Sequence, residues 1–274
     1  MHNKDDRVIK EFGDEWKKFD HSVSNKSKLK VIFNQYFDIF PWNTLPSNPI
    51  GFDMGCGSGR WAQFVAPRVR QLNCIEPSDA IEVAKKNLSN NTNVKFFKET
   101  TSSCSISNNS QDFGYCLGVL HHIPNTQDAL NDCTRLLKKG APFLLYLYYN
   151  FENKPLWFKL IWKLSDIFRR VISRCPKPLK NFLCQLIAFT IYYPFSRAAL
   201  IIEYFGINVE NIPLSDYRNK SFYQCKNDAL DRFGTRLEQR FSKSEISEML
   251  LKAGCHDIRF SPKTPYWCCI AIKK

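Results

Sequence analysis

The sequence predicts an α/β protein built on a doubly wound, mostly parallel sheet, preceded by helices and interrupted late by a long helical insertion. Two observations carry this reading. From Ile50 to Tyr148, short apolar runs alternate with amphipathic stretches, the pattern of successive strand–helix units. The first run, Ile50-Gly51-Phe52-Asp53-Met54, ends on an acid and passes into three alternate glycines before a helix opens at Trp61. Such a turn delivers the end of a strand to a ligand, because glycine admits backbone conformations closed to other residues and removes side chains that hold a bound molecule away.

Before this turn, residues 1–48 carry helical spacing in two pieces, Val8, Phe12, Trp16 and Phe19, then Leu29 to Phe40, ending at Pro41 and Pro46. After it, Val69 to Ile75 reads as a second strand ending at Glu76-Pro77-Ser78, Ala80 to Ser89 as a helix, and Val94 to Phe97 as a third strand ending at Glu99-Thr100. The run Thr101 to Asn109 is nearly all Ser, Thr and Asn, hence a loop. A fourth strand, Phe113 to Leu117, leads to Gly118-Val119-Leu120-His121-His122-Ile123-Pro124. The helix Thr126 to Leu137 stops at Lys138-Lys139-Gly140, and Pro142 to Tyr148 is a continuous apolar run suited to a covered central strand.

The glycine turn discriminates among nucleotide ligands. The dinucleotide fingerprint has a third glycine where Arg60 stands, and no Gly-Lys-Ser/Thr follows for a phosphate loop. Asp53, two residues before the first glycine, would repel a pyrophosphate but suits a ligand bearing an ammonium group. Glu76, at the tip of the next strand, offers two oxygens to ribose hydroxyls.

Asp53-Met54-Gly55-Cys56-Gly57-Ser58-Gly59 resembles the first motif of the class I methyltransferases, and Leu120-His121-His122-Ile123 resembles the segment after strand four in many of their small-molecule members. The resemblance implies a seven-stranded sheet with an antiparallel last strand and S-adenosylmethionine as cofactor, leaving as S-adenosylhomocysteine. It also implies a cofactor site at Asp53, Gly55, Cys56, Gly57, Gly59, Glu76, Pro77, Glu99, Thr100 and Leu117, with Glu99 and Thr100 beside the adenine and Trp16 to Asp20 closing over the ligand. His121, His122 and Tyr148 stand at the carboxyl edge of the sheet, where ligands of such folds bind, and are the candidate catalytic residues. A narrower similarity, carried by Tyr146-Leu147-Tyr148-Tyr149, residues 213–241 and Pro265-Tyr266-Trp267, is to a bacterial group associated with glycan assembly. Gln111, where an apolar residue is commoner in the family, is expected to affect only local packing.

The last elements of such a core come late. Ser242 to Ala253 reads as a helix with Ser242 as N-cap and Glu245 completing a capping box, followed by strands at His256 to Phe260 and Trp267 to Ile272. The chain therefore divides into an N-terminal cap (1–48), a cofactor-binding half (49–149), an insertion (150–241) and a closing segment (242–274). In the insertion, Lys159, Lys163, Arg169, Arg170, Arg174, Lys177 and Lys180 interleave with bulky apolar residues, the composition of an interfacial helix. Peripheral contact with an anionic membrane through 155–205 is one expectation, and a helical lid is the other. Phe182 to Tyr193 is more apolar still, but Pro194 and Arg197 are expected to cut it short of bilayer length.

Across 274 residues the formal charge is +13, which predicts an anionic partner without choosing among nucleic acid, membrane and acidic substrate. The eleven cysteines are odd in number, form no Cys-x-x-Cys pair and sit largely in apolar segments, so reduced thiols and a cytoplasmic setting are expected, and no metal site. Cys268 and Cys269 should point to opposite faces of a strand. The expected acceptor is a small molecule or a lipid- or glycan-linked one, methylated on oxygen. A small thiol, an RNA or a non-catalytic role as a cofactor-binding partner are the alternatives. RNA is disfavoured because no Asn/Asp-Pro-Pro-Tyr/Phe tetrapeptide follows strand four.

Overall fold

The structure is a computed structural model, in which residues 3–18, 26–209 and 211–274 are described. In chain order the elements are α1 (Asp6–Lys18), α2 (Lys26–Phe37), β1 (Ile50–Met54), α3 (Ala62–Val65), β2 (Gln71–Ile75), α4 (Ala80–Asn87), β3 (Val94–Phe97), β4 (Phe113–Leu117), α5 (Thr126–Arg135) and β5 (Pro142–Tyr146). They continue as α6 (Leu156–Ile172), α7 (Lys177–Ile187), α8 (Tyr193–Tyr204), α9 (Phe222–Gly234), α10 (Lys243–Lys252), β6 (Cys255–Phe260) and β7 (Cys269–Lys273). The described residues form two compact units, Met1–Asn150 with Gln239–Lys274, and Phe151–Glu238.

The first unit holds one seven-stranded sheet in the order β3-β2-β1-β4-β5-β7-β6. Neighbours from β3 to β5 run parallel, and β7 is antiparallel to both β5 and β6. Where β1 meets β4, two glycines make room for two rings: Gly51 pairs with Phe113 and Phe52 with Gly114. A Cβ on Gly51 would stand 2.2 Å from the Phe113 ring, and one on Gly114 would stand 2.3 Å from the Phe52 ring, so neither position tolerates a side chain.

Strand alternation sends Phe52, Met54, Cys116, Phe143 and Leu145 to one buried cluster with α5 and α10. Leu72, Cys74, Phe113, Tyr115 and Leu144 go to the other, with α2, α3 and α4. Cys268 and Cys269 fall into different clusters, as their adjacency in an extended segment requires. All eleven cysteines are free thiols. Gln111 does more than pack locally: its Oε1 accepts the Asn73 side-chain amide at 2.9 Å, so a buried amide in the middle of β2 finds its partner just before β4.

Most element ends differ from the sequence reading by a residue or two; α2 starts and stops three residues earlier than its apolar spacing, so it ends at Phe37 and reaches neither Pro41 nor Pro46. The fifth strand stops at Tyr146 because the chain beyond it pairs elsewhere: Tyr149 bridges Phe241, and the Phe241 amide donates to the Tyr148 carbonyl at 2.9 Å. The capping box of α10 forms as expected, with Ser242 Oγ accepting from the Glu245 amide and Glu245 Oε2 accepting from the Ser242 amide. Phe19 and Asp20 lie outside the described residues.

The second unit is helical, around a core of Ile172, Cys184, Ala188, Tyr192, Cys225, Ala229 and Phe233. Here the sequence reading is corrected. Pro194 and Arg197 do not end the apolar helix, which runs unbroken from Lys177 to Tyr204, 28 residues, long and apolar enough by length and composition to cross a bilayer. A π turn over Ala188–Tyr192, closed by the Tyr193 amide on the Ala188 carbonyl, precedes the proline. That wider turn accommodates a residue with no amide hydrogen and keeps Cys184, Ala188, Tyr192 and Ser196, spaced by four, on one buried face.

Candidate functional site

At the end of β1, Gly55, Gly57 and Gly59 adopt φ of +75°, +53° and +77°, values that favour glycine. Space is as restrictive as conformation at two of them. A Cβ on Gly55 would stand 2.5 Å from Val119 and one on Gly59 2.8 Å from Leu88. The Gly55 and Cys56 amides both donate to the Ile75 carbonyl, tying the turn to the end of β2.

Two buried carboxylates flank this turn. Asp53 pairs in register with Tyr115 of β4, whose hydroxyl donates to Asp53 Oδ2 at 2.9 Å. Burial lifts the Asp53 carboxyl to about 8; the Tyr115 bond opposes that rise, and the nearby Glu76 charge adds to it. Glu76 accepts the Gly57 amide on Oε2 at 3.1 Å and the Ser78 amide on Oε1 at 3.0 Å, and burial raises its pKa too. Cys56 is buried beside Cys74, which pushes its thiol up, and Pro77 is half-buried. Glu99 and Thr100, at the end of β3, serve their own loop: Glu99 accepts the Ser105 amide and hydroxyl, and Thr100 caps the turn at Ser103. Leu117 is buried at the end of β4.

Beyond β4, Leu120–His122 form a single 3₁₀ turn that buries both histidines. The His121 ring lies 4.1 Å from that of His122 and stacks on Tyr148 at 3.8 Å and 27°. His122 meets Tyr148 edge-on at 5.6 Å. His121 is fully buried with no hydrogen-bond partner on either ring nitrogen, and burial holds its pKa well below the usual imidazole value. The structure therefore brings His121, His122 and Tyr148 together as one aromatic cluster.

Three residues escaped the sequence pattern. Tyr115 is 62 residues from Asp53, and only the β1–β4 register joins them. Gln239 binds the histidine tract through its amide to the His121 carbonyl and its side chain to the Ile123 carbonyl, at 3.0 and 2.7 Å. Arg240 lies 5.0 Å from the Tyr148 ring centre. Helix α1, whose Trp16 the resemblance placed over the ligand, reaches further than that: along it Phe12 packs on His122 at 4.8 Å, Gly13 passes Ser78, and Trp16 stands over Gly57 and against the Arg60 guanidinium. One helix thus touches both the histidine tract and the glycine turn. The i, i+4 spacing of Phe12 and Trp16 was the available signal.

The donor set fits a nucleoside carrying an amino acid. Buried carboxylates at the tips of β1 and β2 suit an ammonium group and ribose hydroxyls, and the bare turn between them offers backbone at close range. Among the described residues, no cluster of metal-ligating side chains occurs.

Residues 52–145 match a family model described as a methyltransferase domain. The chain is 33% identical over 92 residues to a ubiquinone biosynthesis O-methyltransferase of Saccharophagus degradans, covering 32% of this chain and 39% of the relative. It is 30% identical over 134 residues to the protein of the same name from Nitrosomonas europaea, covering 48% and 56%. The chain thus spans about half, or less, of the length of the curated relatives it matches. An O-methyltransferase family protein from Burkholderia thailandensis superposes with a TM-score of 0.54 over 93% of this chain and 58% of that one, at 11% identity, a likeness of fold alone.

Proposed function

We propose that this chain, whose core belongs to the class I S-adenosylmethionine-dependent methyltransferases, methylates a hydroxyl oxygen on a small or a lipid- or glycan-linked acceptor. The observation that carries this reading is the pair of buried carboxylates, Asp53 and Glu76, set about a glycine turn whose Gly55 lies against Val119, two residues before the histidines. The O-methyltransferase names of its relatives favour oxygen over sulfur as the acceptor atom.

Bound S-adenosylmethionine supplies an electrophilic methyl group. Asp53 would hold the ammonium of its methionyl part and Glu76 its ribose, while Glu99 and Thr100 would stand beside its base and Leu117 would line the same site. Glu76 also fixes the turn itself, since its oxygens anchor the Gly57 and Ser78 amides. Trp16 and Phe12 exclude water from the turn and from His122. His122 takes the proton from the acceptor hydroxyl on a ring nitrogen and releases it to solvent. Burial holds the His121 imidazole well below its usual pKa, so it would hold an accepted proton only weakly, and its stack on Tyr148 makes it a positioning residue.

Equilibrium dialysis with S-adenosylmethionine, followed by transfer of a radiolabelled methyl group to a panel of hydroxyl, thiol and glycan acceptors, tests the reading. Binding that disappears in Gly57→Val, with label appearing on a hydroxyl acceptor, is expected. Absence of binding by the folded protein overturns it.

A further inference from the structure

Among the described residues, all but two of the large apolar side chains left exposed belong to the unit Phe151–Glu238. They are ordered rather than scattered. On α6, Leu156, Leu160, Leu164, Ile167, Phe168 and Val171 are each at least half exposed, the first at 78%. At 100° per residue these positions fall within a stripe about 120° wide. The opposite side of α6 is turned inward: Asp166, Arg169 and Ile172 are buried, with Asp166 bonded to Arg169 at 2.6 Å.

Charge borders the apolar stripe on one side. Between 156 and 182 the chain carries seven basic residues and a single acid, Asp166, which is buried and paired. Exposed Lys163, Arg170 and Arg174 project along one edge of the stripe. The helix from Lys177 to Tyr204 repeats the division, with Phe182, Phe189 and Phe195 more than half exposed and Cys184, Ala188, Tyr192 and Ser196 buried.

We propose that the exposed apolar faces of α6 and of the α7–α8 helix form a docking surface for an anionic lipid bilayer, on which the protein lies without spanning it. Patches this large on a water-facing surface mark interaction sites, and an apolar stripe edged by cations is the pattern that enters the headgroup boundary of anionic lipid. A second copy of the chain fits less well, since a two-fold interface would set this basic edge against itself.

The buried side of the long helix rules against spanning. Cys184, Ala188 and Tyr192 are part of the unit's own core. Arg197 donates to the Tyr217 and Lys220 carbonyls at 3.2 and 2.8 Å, and Glu203 is held by Arg218 at 2.7 Å. Withdrawal into lipid would strip that core and strand these charges in hydrocarbon. Lying flat keeps them and removes the outer phenylalanines from water.

The test is co-sedimentation of the full chain, without cofactor or acceptor, on vesicles of phosphatidylglycerol mixed with phosphatidylcholine and on vesicles of phosphatidylcholine alone. Retention on the anionic vesicles that weakens with salt is expected. Lys163→Glu with Arg174→Glu should lower it by about fivefold or more per charge altered, and Leu160→Glu with Ile167→Glu should abolish it while circular dichroism and melting stay unchanged. No retention on either vesicle, or retention indifferent to both pairs of changes, overturns the proposal. So does light scattering that shows an oligomer dissolved by Leu160→Glu with Ile167→Glu, since the face would then belong to a second copy. Failure of cofactor binding would leave this result untouched, so the two readings fail separately.

Discussion

The Tyr115 hydroxyl donates to Asp53 Oδ2 at 2.9 Å between register partners on β4 and β1, so the first acid of the turn is held from beneath by the sheet itself. With burial lifting its carboxyl to about 8, Asp53 is substantially protonated near neutral pH. A ligand bringing an ammonium group favours the carboxylate, so binding should release up to about one proton. Calorimetry at pH 7 in buffers of different ionisation enthalpy should show a buffer-dependent heat in the parent chain and none from this site in Asp53→Asn.

The same shift sets a pH dependence of stability. An ordinary unfolded Asp carboxyl titrates near 3.9, whereas the folded one holds its proton to about 8. Between those values the folded state binds more protons, so stability is highest at the acid end of the window, falls as pH rises through it, and levels off above. Glu76, also raised by burial, acts in the same direction. Denaturant melts from pH 5 to pH 9 should show the decline, and Asp53→Asn should remove the part that extends to about 8.

The glycines make a graded series. Gly55→Ala and Gly59→Ala face both a positive φ and a neighbour within 2.8 Å, whereas Gly140→Ala faces a φ of +80° with nothing within 4 Å. The first two should lose roughly 2 kcal/mol or more and bind cofactor poorly, and the last about 1 kcal/mol with binding intact. Thermal melts paired with dialysis would read both.

His122→Ala should lower turnover by about a hundredfold with cofactor affinity unchanged. Unchanged turnover would remove His122 as the base. Tyr148→Leu, which takes away the ring stacked on His121, should lower turnover less and shift its pH profile.

Trp16→Ala uncovers Gly57 and should speed cofactor release several-fold, an effect on the order of 1 kcal/mol. Stopped-flow displacement would measure it. Phe12→Ala, four residues earlier on the same helix, should instead affect turnover, because it exposes His122 rather than the turn.

Most of the fold was legible because its signals are local. The strand before Gly55, the glycines themselves and the Ser242–Glu245 cap each occupy a few neighbouring residues. What stayed hidden depends on pairing over distance. Tyr115 reaches Asp53, Gln239 reaches the histidine tract and Gln111 reaches Asn73 only once the sheet is assembled. The Pro194 reading failed for a different reason: a lone proline signals a helix break, and nothing local announces the π turn that absorbs it. Glu76 was placed at its strand tip from sequence, but its grip on the Gly57 amide appears only in three dimensions.

Of the eleven thiols, ten are buried and Cys175 alone is partly open, just past the end of α6. A maleimide dye offered to the native protein should therefore enter at a single address, without any engineered cysteine. The molecule carries its own attachment point for a fluorescent reporter, beside the surface whose surroundings most need to be sensed.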